Sequence, residues 1–187
     1  MIQFQNFNDY IALFFLIFLN AVFEFHISKK KYKIYDQARV GIISPPGYWF
    51  FVIWKFLYSL ITVSIFLYGW ILSPNSSYYV ATMTIYFIFI IMCKMWPLIY
   101  FEYYMFKLGA VLCAFIFSLS LVITALIGSE WNNGIDLRIA FFFFIPMNIW
   151  LLYATFLSVI MIRPMCAARA LIMNGKQPMY VARFDYK

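Results

Sequence analysis

Few residues in this chain could do chemistry. Lys55 and Lys94 each interrupt a long apolar run, Glu24 and His26 stand two apart, and Glu102 and Lys107 flank a short break between two more such runs. Ionisable groups inside a bilayer cost a few kcal/mol each and persist where they are paired or used. Lys55 and Lys94 both lie in the half of their segments nearer a basic end, so their four-carbon stems are expected to carry the ammonium out to the headgroups. Pairing or ligand binding is the alternative role for them. Glu24 and His26 do not face each other on a helix and read as interfacial polar groups; Glu102 and Lys107 read as solvated charges where two helices end.

The catalytic inventory stops there. Cys93, Cys113 and Cys166 are isolated, and the single histidine is His26. Neither set has the paired spacing of a metal site or of a redox motif. No Ser/His/Asp set or glycine-rich phosphate loop accompanies them, and one histidine leaves general acid-base work short of its commonest agent. The expectation is a protein that is not an enzyme and that requires no cofactor or metal.

The elements that hold these residues are set by composition. Of 187 residues, 66% are hydrophobic and 11% charged, with mean hydropathy +0.85; a soluble domain is about one quarter charged. The chain therefore reads as an all-α polytopic membrane protein, because lipid offers the backbone no hydrogen-bond partner and each span must be a helix. A span needs about 20 apolar residues. Five segments qualify, at roughly 10–27, 48–72, 78–101, 108–128 and 139–162, making a bundle over 1–163 followed by a polar, basic tail over 164–187. The turns "SPPG" (Ser44–Gly47), "SPNSS" (Ser73–Ser77) and "GSEWNNGID" (Gly128–Asp136) separate antiparallel neighbours.

Charge placement predicts orientation. One face carries Lys29, Lys30, Lys31, Lys33, Arg39, Lys107, Arg163, Arg169, Lys176, Arg183 and Lys187, whereas the other carries Arg138. The basic loops and C-terminus are thus expected on the cytoplasmic or matrix side. The net charge of +7 then reflects topology and attraction to anionic headgroups rather than nucleic-acid binding. Lys29, Lys30, Lys31, Lys33, Arg169 and Arg183 are the charges expected to face lipid or a partner. The opening "MIQFQNFNDY" has no basic n-region or cleavage site, so the first span is expected to target the chain.

The aromatic load of 23 Phe, 15 Tyr and 6 Trp has two readings. Aromatic rings can fill helix interfaces and form headgroup-level belts, here with Tyr48, Trp49, Trp70, Tyr78, Tyr79, Trp131 and Trp150 as candidates, or they can line a cavity for a flat hydrophobic ligand.

Three stretches in order resemble the translocator protein family of mitochondria and bacteria (TspO, the peripheral benzodiazepine receptor). The second span carries Pro45 and Pro46, an aromatic at Tyr48, then Trp54, Leu57, Tyr58 and Ser59 in the family's spacing. The third ends in "WPLIYF", Trp96 to Phe101 with Pro97 between. The fifth, "PMNIWLLYATFLSVIMIR", places Pro146, Trp150, Ala154, Thr155, Leu157 and Arg163 where the family has Pro, Trp, Ala-Thr, Leu and Arg. The resemblance covers roughly residues 43–163. It implies a five-helix bundle whose cavity takes porphyrins, sterols or synthetic aromatic ligands, with Phe50, Phe51, Ile53, Trp54, Trp96, Ala110, Trp150, Ala154 and Leu157 around it. This chain has Phe51 where the family offers a small residue and Ala110 where it commonly has tryptophan; it lacks the tyrosine before Arg163 and the glycines of the first helix.

Larger side chains in place of small ones fill interior volume. The expectation is therefore a family bundle recruited as an accessory subunit of a larger membrane assembly, most naturally a mitochondrial respiratory complex of the inner membrane. The alternative is a translocator of the outer membrane that binds porphyrin, sterol or a similar lipid. Membrane lipids and other membrane subunits are the expected partners.

Overall fold

The computed structural model describes residues 35–36, 38–71 and 78–173. Four helices are long and apolar enough to cross a membrane: α1 (Gly47–Ile71), α2 (Tyr79–Pro97) with its continuation through Glu102, α3 (Phe106–Ser129) and α4 (Ile135–Ile160). A shorter α5 (Ile162–Met173) follows, and there is no strand among the described residues. The expected first span at 10–27, with Glu24 and His26, lies outside the described residues, as do Lys29, Lys30, Lys31 and Lys33. Helix continues through α5 past the expected end of the last span, burying Met165 and Ala168; Lys176, Arg183 and Lys187 lie beyond the described part.

Each of the four long helices is apolar on nearly every face, as a lipid-embedded segment must be. Its few hydroxyls turn back onto the preceding turn of backbone: Ser59 donates to the Lys55 carbonyl, Thr62 to Tyr58, Thr124 to Ser120 and Thr155 to Leu151, at 2.7 to 3.1 Å. That satisfies a polar group where no water can. The start of α1 is held from outside, since Pro45 and Pro46 end the preceding chain and the Asp36 carboxylate accepts from the Gly47 amide at 2.8 Å. A carboxylate there complements the positive end of the helix dipole.

The helices pack in the lateral order α2, α3, α4, α1. Polar cross-links pin the register. Ser64 donates to the Ala140 carbonyl between α1 and α4 at 2.7 Å, and the Asn148 amide donates to Thr124 between α4 and α3 at 2.7 Å. Tyr68 reaches Thr82 from α1 to α2 at 3.0 Å. Such bonds contribute about 0.6 kcal/mol each on average within membranes, so their main effect is to select one register. Around them the core is apolar, with Ile61, Phe89, Ile123, Leu137, Phe144, Met147 and Leu151 fully buried.

The two intramembrane lysines part company. Lys55 is exposed on α1, as a snorkelling lysine would be. Lys94 turns inward: its Nζ is buried and lies 4.0 Å over the Tyr58 ring. Its register on α2 turns the stem inward, and an aromatic face stabilises a desolvated ammonium by about 2 kcal/mol. Among the candidate belt residues, Tyr48, Trp49 and Tyr78 are exposed, whereas Trp150 packs into the interior described next.

Candidate functional site

Where α2 approaches the basic end, the backbone changes. After Pro97 the chain runs as a π-helical turn, Leu98–Glu102, in which the Tyr103 amide donates to the Leu98 carbonyl at 2.9 Å. In a regular α-helix a residue five positions on points well away from the first; the wider π turn brings both Tyr100 and Phe101 round to the face of Trp96. The Trp96 ring stacks on Tyr100 at 5.2 Å between centroids and meets Phe101 edge-on at 5.7 Å. Its indole N–H donates to the Gly109 carbonyl at 2.9 Å, while the Tyr100 hydroxyl donates to the Ser158 carbonyl at 3.3 Å.

Gly109 makes this approach feasible. A Cβ there would stand 2.5 Å from the Tyr100 ring.

From α1, Phe50 and Trp54 complete an aromatic cage. Phe50 lies 5.4 Å from Trp150 and 6.3 Å from Trp96, and Trp54 lies 6.0 Å from Trp96 and 6.2 Å from Trp150. Tyr58 stacks on Trp54 at 5.4 Å and carries the wall toward Lys94. From α4, Ala154, Leu157, Ser158 and Met161 form one stripe at i, i+3, i+4 and i+7. The space between these walls is about 10 Å³, lined by Tyr35, Phe50, Trp96, Tyr100, Phe101 and the α4 stripe. That is room for about one water molecule.

The expected site residues distribute as follows. Phe50, Trp96, Ala154 and Leu157 line the cavity, as does Phe101, which the family pattern marks without placing it in the pocket. Trp54 and Trp150 stand against Phe50, and Ile53 packs on the core from α1. Ala110 is buried on α3 and does not line this cavity. Phe51 belongs to α1, its side chain lying outside the described part. Leu57 and Tyr58 are buried in the core, Pro46 accepts from the Phe50 amide, Pro146 lies within α4, and Thr155 hydrogen-bonds Leu151 and Cys113. Arg163 is exposed at the basic end, while Arg169 lies over the Tyr104 ring at 5.0 Å.

Sequence reasoning missed Tyr35, Tyr100, Ser158 and Met161. For Ser158 and Met161 the signal was present, since both continue the helical stripe begun by Ala154. For Tyr100 the signal was present too, one turn after Trp96, whereas Tyr35 lies before α1 where no helical stripe marks it.

Three buried donors around this cage have no hydrogen-bond partner among the described residues: the Tyr35 hydroxyl and the indole N–H groups of Trp54 and Trp150. Buried polar atoms are normally satisfied, and an orphan in a cleft is a signal. An indole can only donate. The unmet demand is therefore for acceptors.

The profile of the TspO/MBR family matches residues 10–163 of the chain. The protein belongs to the TspO/MBR family. Comparisons with curated proteins and with solved structures returned no match. Membership makes the chain an integral membrane protein of translocator type, in a family of binding and transport proteins that are generally not enzymes. Its aromatic cage is built from the stretches that carry the family pattern, on α1, the end of α2 and α4. No group of three His, Cys, Asp or Glu residues that could hold a metal is found among the described residues.

Proposed function

We propose that this TspO/MBR member is a membrane receptor for a flat hydrophobic ligand bearing hydrogen-bond acceptors, such as a porphyrin or an oxygenated sterol. The observation that carries the reading is the pair of unpartnered indole donors, Trp54 Nε1 and Trp150 Nε1, on one aromatic cage. The rings now pack on one another, and once parted they offer apolar faces to a planar guest, while the orphan indole N–H groups suit its carbonyl or carboxylate edge. Bound lipid would satisfy the same groups. The basic end, with Lys107, Arg163 and Arg169, faces the cytoplasm or the matrix in this reading.

Titration of the detergent-solubilised protein with protoporphyrin IX, followed by quenching of tryptophan fluorescence, tests it. Saturable quenching is expected, and Ala154→Phe, which drives a ring into the 1% exposed wall, should weaken it by about tenfold or more, equivalent to about 1.4 kcal/mol. Quenching that stays linear with porphyrin, or is indifferent to Ala154→Phe, would end the reading.

The smallness of the cavity supports a second reading, a non-catalytic accessory subunit of a larger assembly such as a mitochondrial respiratory complex. An interior with room for about one water is what a bundle kept only for packing would have. Native electrophoresis of mildly solubilised membranes distinguishes the two. A large defined complex containing this chain favours the subunit, and migration as a monomer or small homo-oligomer counts against it.

A further inference from the structure

The cavity is small because part of the chain sits in it. Tyr35 precedes α1, yet it is 3% exposed. Its ring lies 5.4 Å from Phe50 and meets Phe101 edge-on at 6.3 Å, so it occupies the aromatic cage between α1 and the π turn. A phenol is a flat apolar ring with a polar edge, the same chemistry that the cage would take from a ligand. Yet the fit is incomplete. A buried tyrosine usually finds a partner for its hydroxyl, and this one has none among the described residues. Burial, and then the neighbouring Tyr153 hydroxyl, push the Tyr35 phenol well above its ordinary range, so it stays neutral.

The segment that delivers the ring is fastened by a few contacts near its turn. Arg39 Nε donates to the Ser44 carbonyl at 3.0 Å, and the Val40 amide donates to Ser44 Oγ at 3.0 Å. The fully buried Ser44 hydroxyl points at the Met161 sulfur at 3.9 Å, and the Tyr153 hydroxyl donates to the Ile43 carbonyl. Between them Gly41 takes a left-handed φ of 50°, and the adjacent Ile42 is fully exposed. Ring packing, these latches, the buried Ala38 and the Asp36 bond to the Gly47 amide hold Tyr35 in place; no covalent link or ion pair does so among the described residues. A plug held this way can be withdrawn as a unit with its turn.

We propose that Tyr35 is an intramolecular occupant of the aromatic cage, a plug that a ligand must displace together with the 38–46 segment. The proposal rests on the ligand-binding reading above for its purpose, but its physical content is independent of any ligand. Under it, apparent affinity is reduced by the fraction of molecules in which the cage is open.

The decisive experiment needs no ligand. Ala154→Cys places a thiol on the cavity wall, in a Cys166→Ala background because Cys166 is exposed whereas Cys93 and Cys113 are buried. Alkylation by N-ethylmaleimide in mild detergent should be slow, and adding Tyr35→Ala should speed it by about tenfold or more under the population argument. Tyr35→Phe should leave it slow, since the ring and not the hydroxyl fills the space. Equal rates with and without Tyr35→Ala, in proteins of matching helical circular dichroism, overturn the plug. Protoporphyrin IX titration of the same Tyr35 variants then separates the two proposals. Tighter binding by Tyr35→Ala supports both, and equal saturable binding overturns the plug while sparing the ligand reading. Faster alkylation without binding by either protein overturns the ligand reading and leaves the plug standing.

Discussion

Trp96→Ala should lower stability by about 3–5 kcal/mol, the range for removing a large buried aromatic. The indole is 4% exposed and touches four rings from two parts of the chain, Phe50 and Trp54 on α1, and Tyr100 and Phe101 on the π turn. Truncation leaves a void that the cage cannot close, since its walls belong to separate helices pinned elsewhere by Ser64 and Asn148. It also removes the donor from the Gly109 carbonyl. Trp96→Phe isolates that last contribution: it keeps most of the packing, leaves the carbonyl with only its intrahelical donor and should cost about 0.5–1.5 kcal/mol. Denaturant titration in mixed micelles, read by circular dichroism, gives both values. A Trp96→Ala loss below about 1 kcal/mol would mean that the cage is a loose collection of rings rather than a structural centre, because surface-like losses are that small.

Gly109→Ala should also destabilise, by about 1–3 kcal/mol, the usual penalty for overpacking. In an unobstructed helix the same change gains up to about 1 kcal/mol, so the sign is the informative part. The added carbon would lie 2.5 Å from Tyr100 Cδ2 and 3.2 Å from its Cβ. Tyr100 has nowhere to go: it stacks on Trp96, meets Phe106 edge-on at 5.3 Å, and its hydroxyl is tied to Ser158. Gly69→Ala in α1 is the matched control, because its nearest neighbour, Met83 Cε, is at an ordinary 3.7 Å. That variant should be neutral or stabilised by about 0.5–1 kcal/mol. If both glycines respond alike, the close approach of α3 to the π turn is not what requires Gly109.

Both predictions concern an arrangement that was only partly visible in the residues. Phe50, Trp96, Ala154 and Leu157 could be named from the family pattern because they sit on regular helix, where position fixes direction. Phe101 was marked by the pattern, but its place on the cavity wall follows from the π turn. Tyr100 needs no such turn, since it follows Trp96 by four residues and an α-helix would already put it on the same face. Lys94 misled for a related reason. Distance from the basic end is readable along a helix, but which way a stem leaves the helix depends on where its neighbours stand, and here Tyr58 received the ammonium.

Apolarity along the chain settles the class of the molecule and the location of its described spans. A chain so apolar must solve the backbone hydrogen-bond problem in lipid within each segment, and only helix of a given length does that. Family membership follows from motifs spaced on three of those helices. Tertiary structure decided how much room the cage retains and which groups line it. That outcome depends on a residue before α1, Tyr35, reaching across to Phe50 and Phe101, and on one wide turn after Pro97. Neither leaves a periodic trace in the sequence, because each is fixed by packing between segments distant along the chain rather than by the repeat of any one of them.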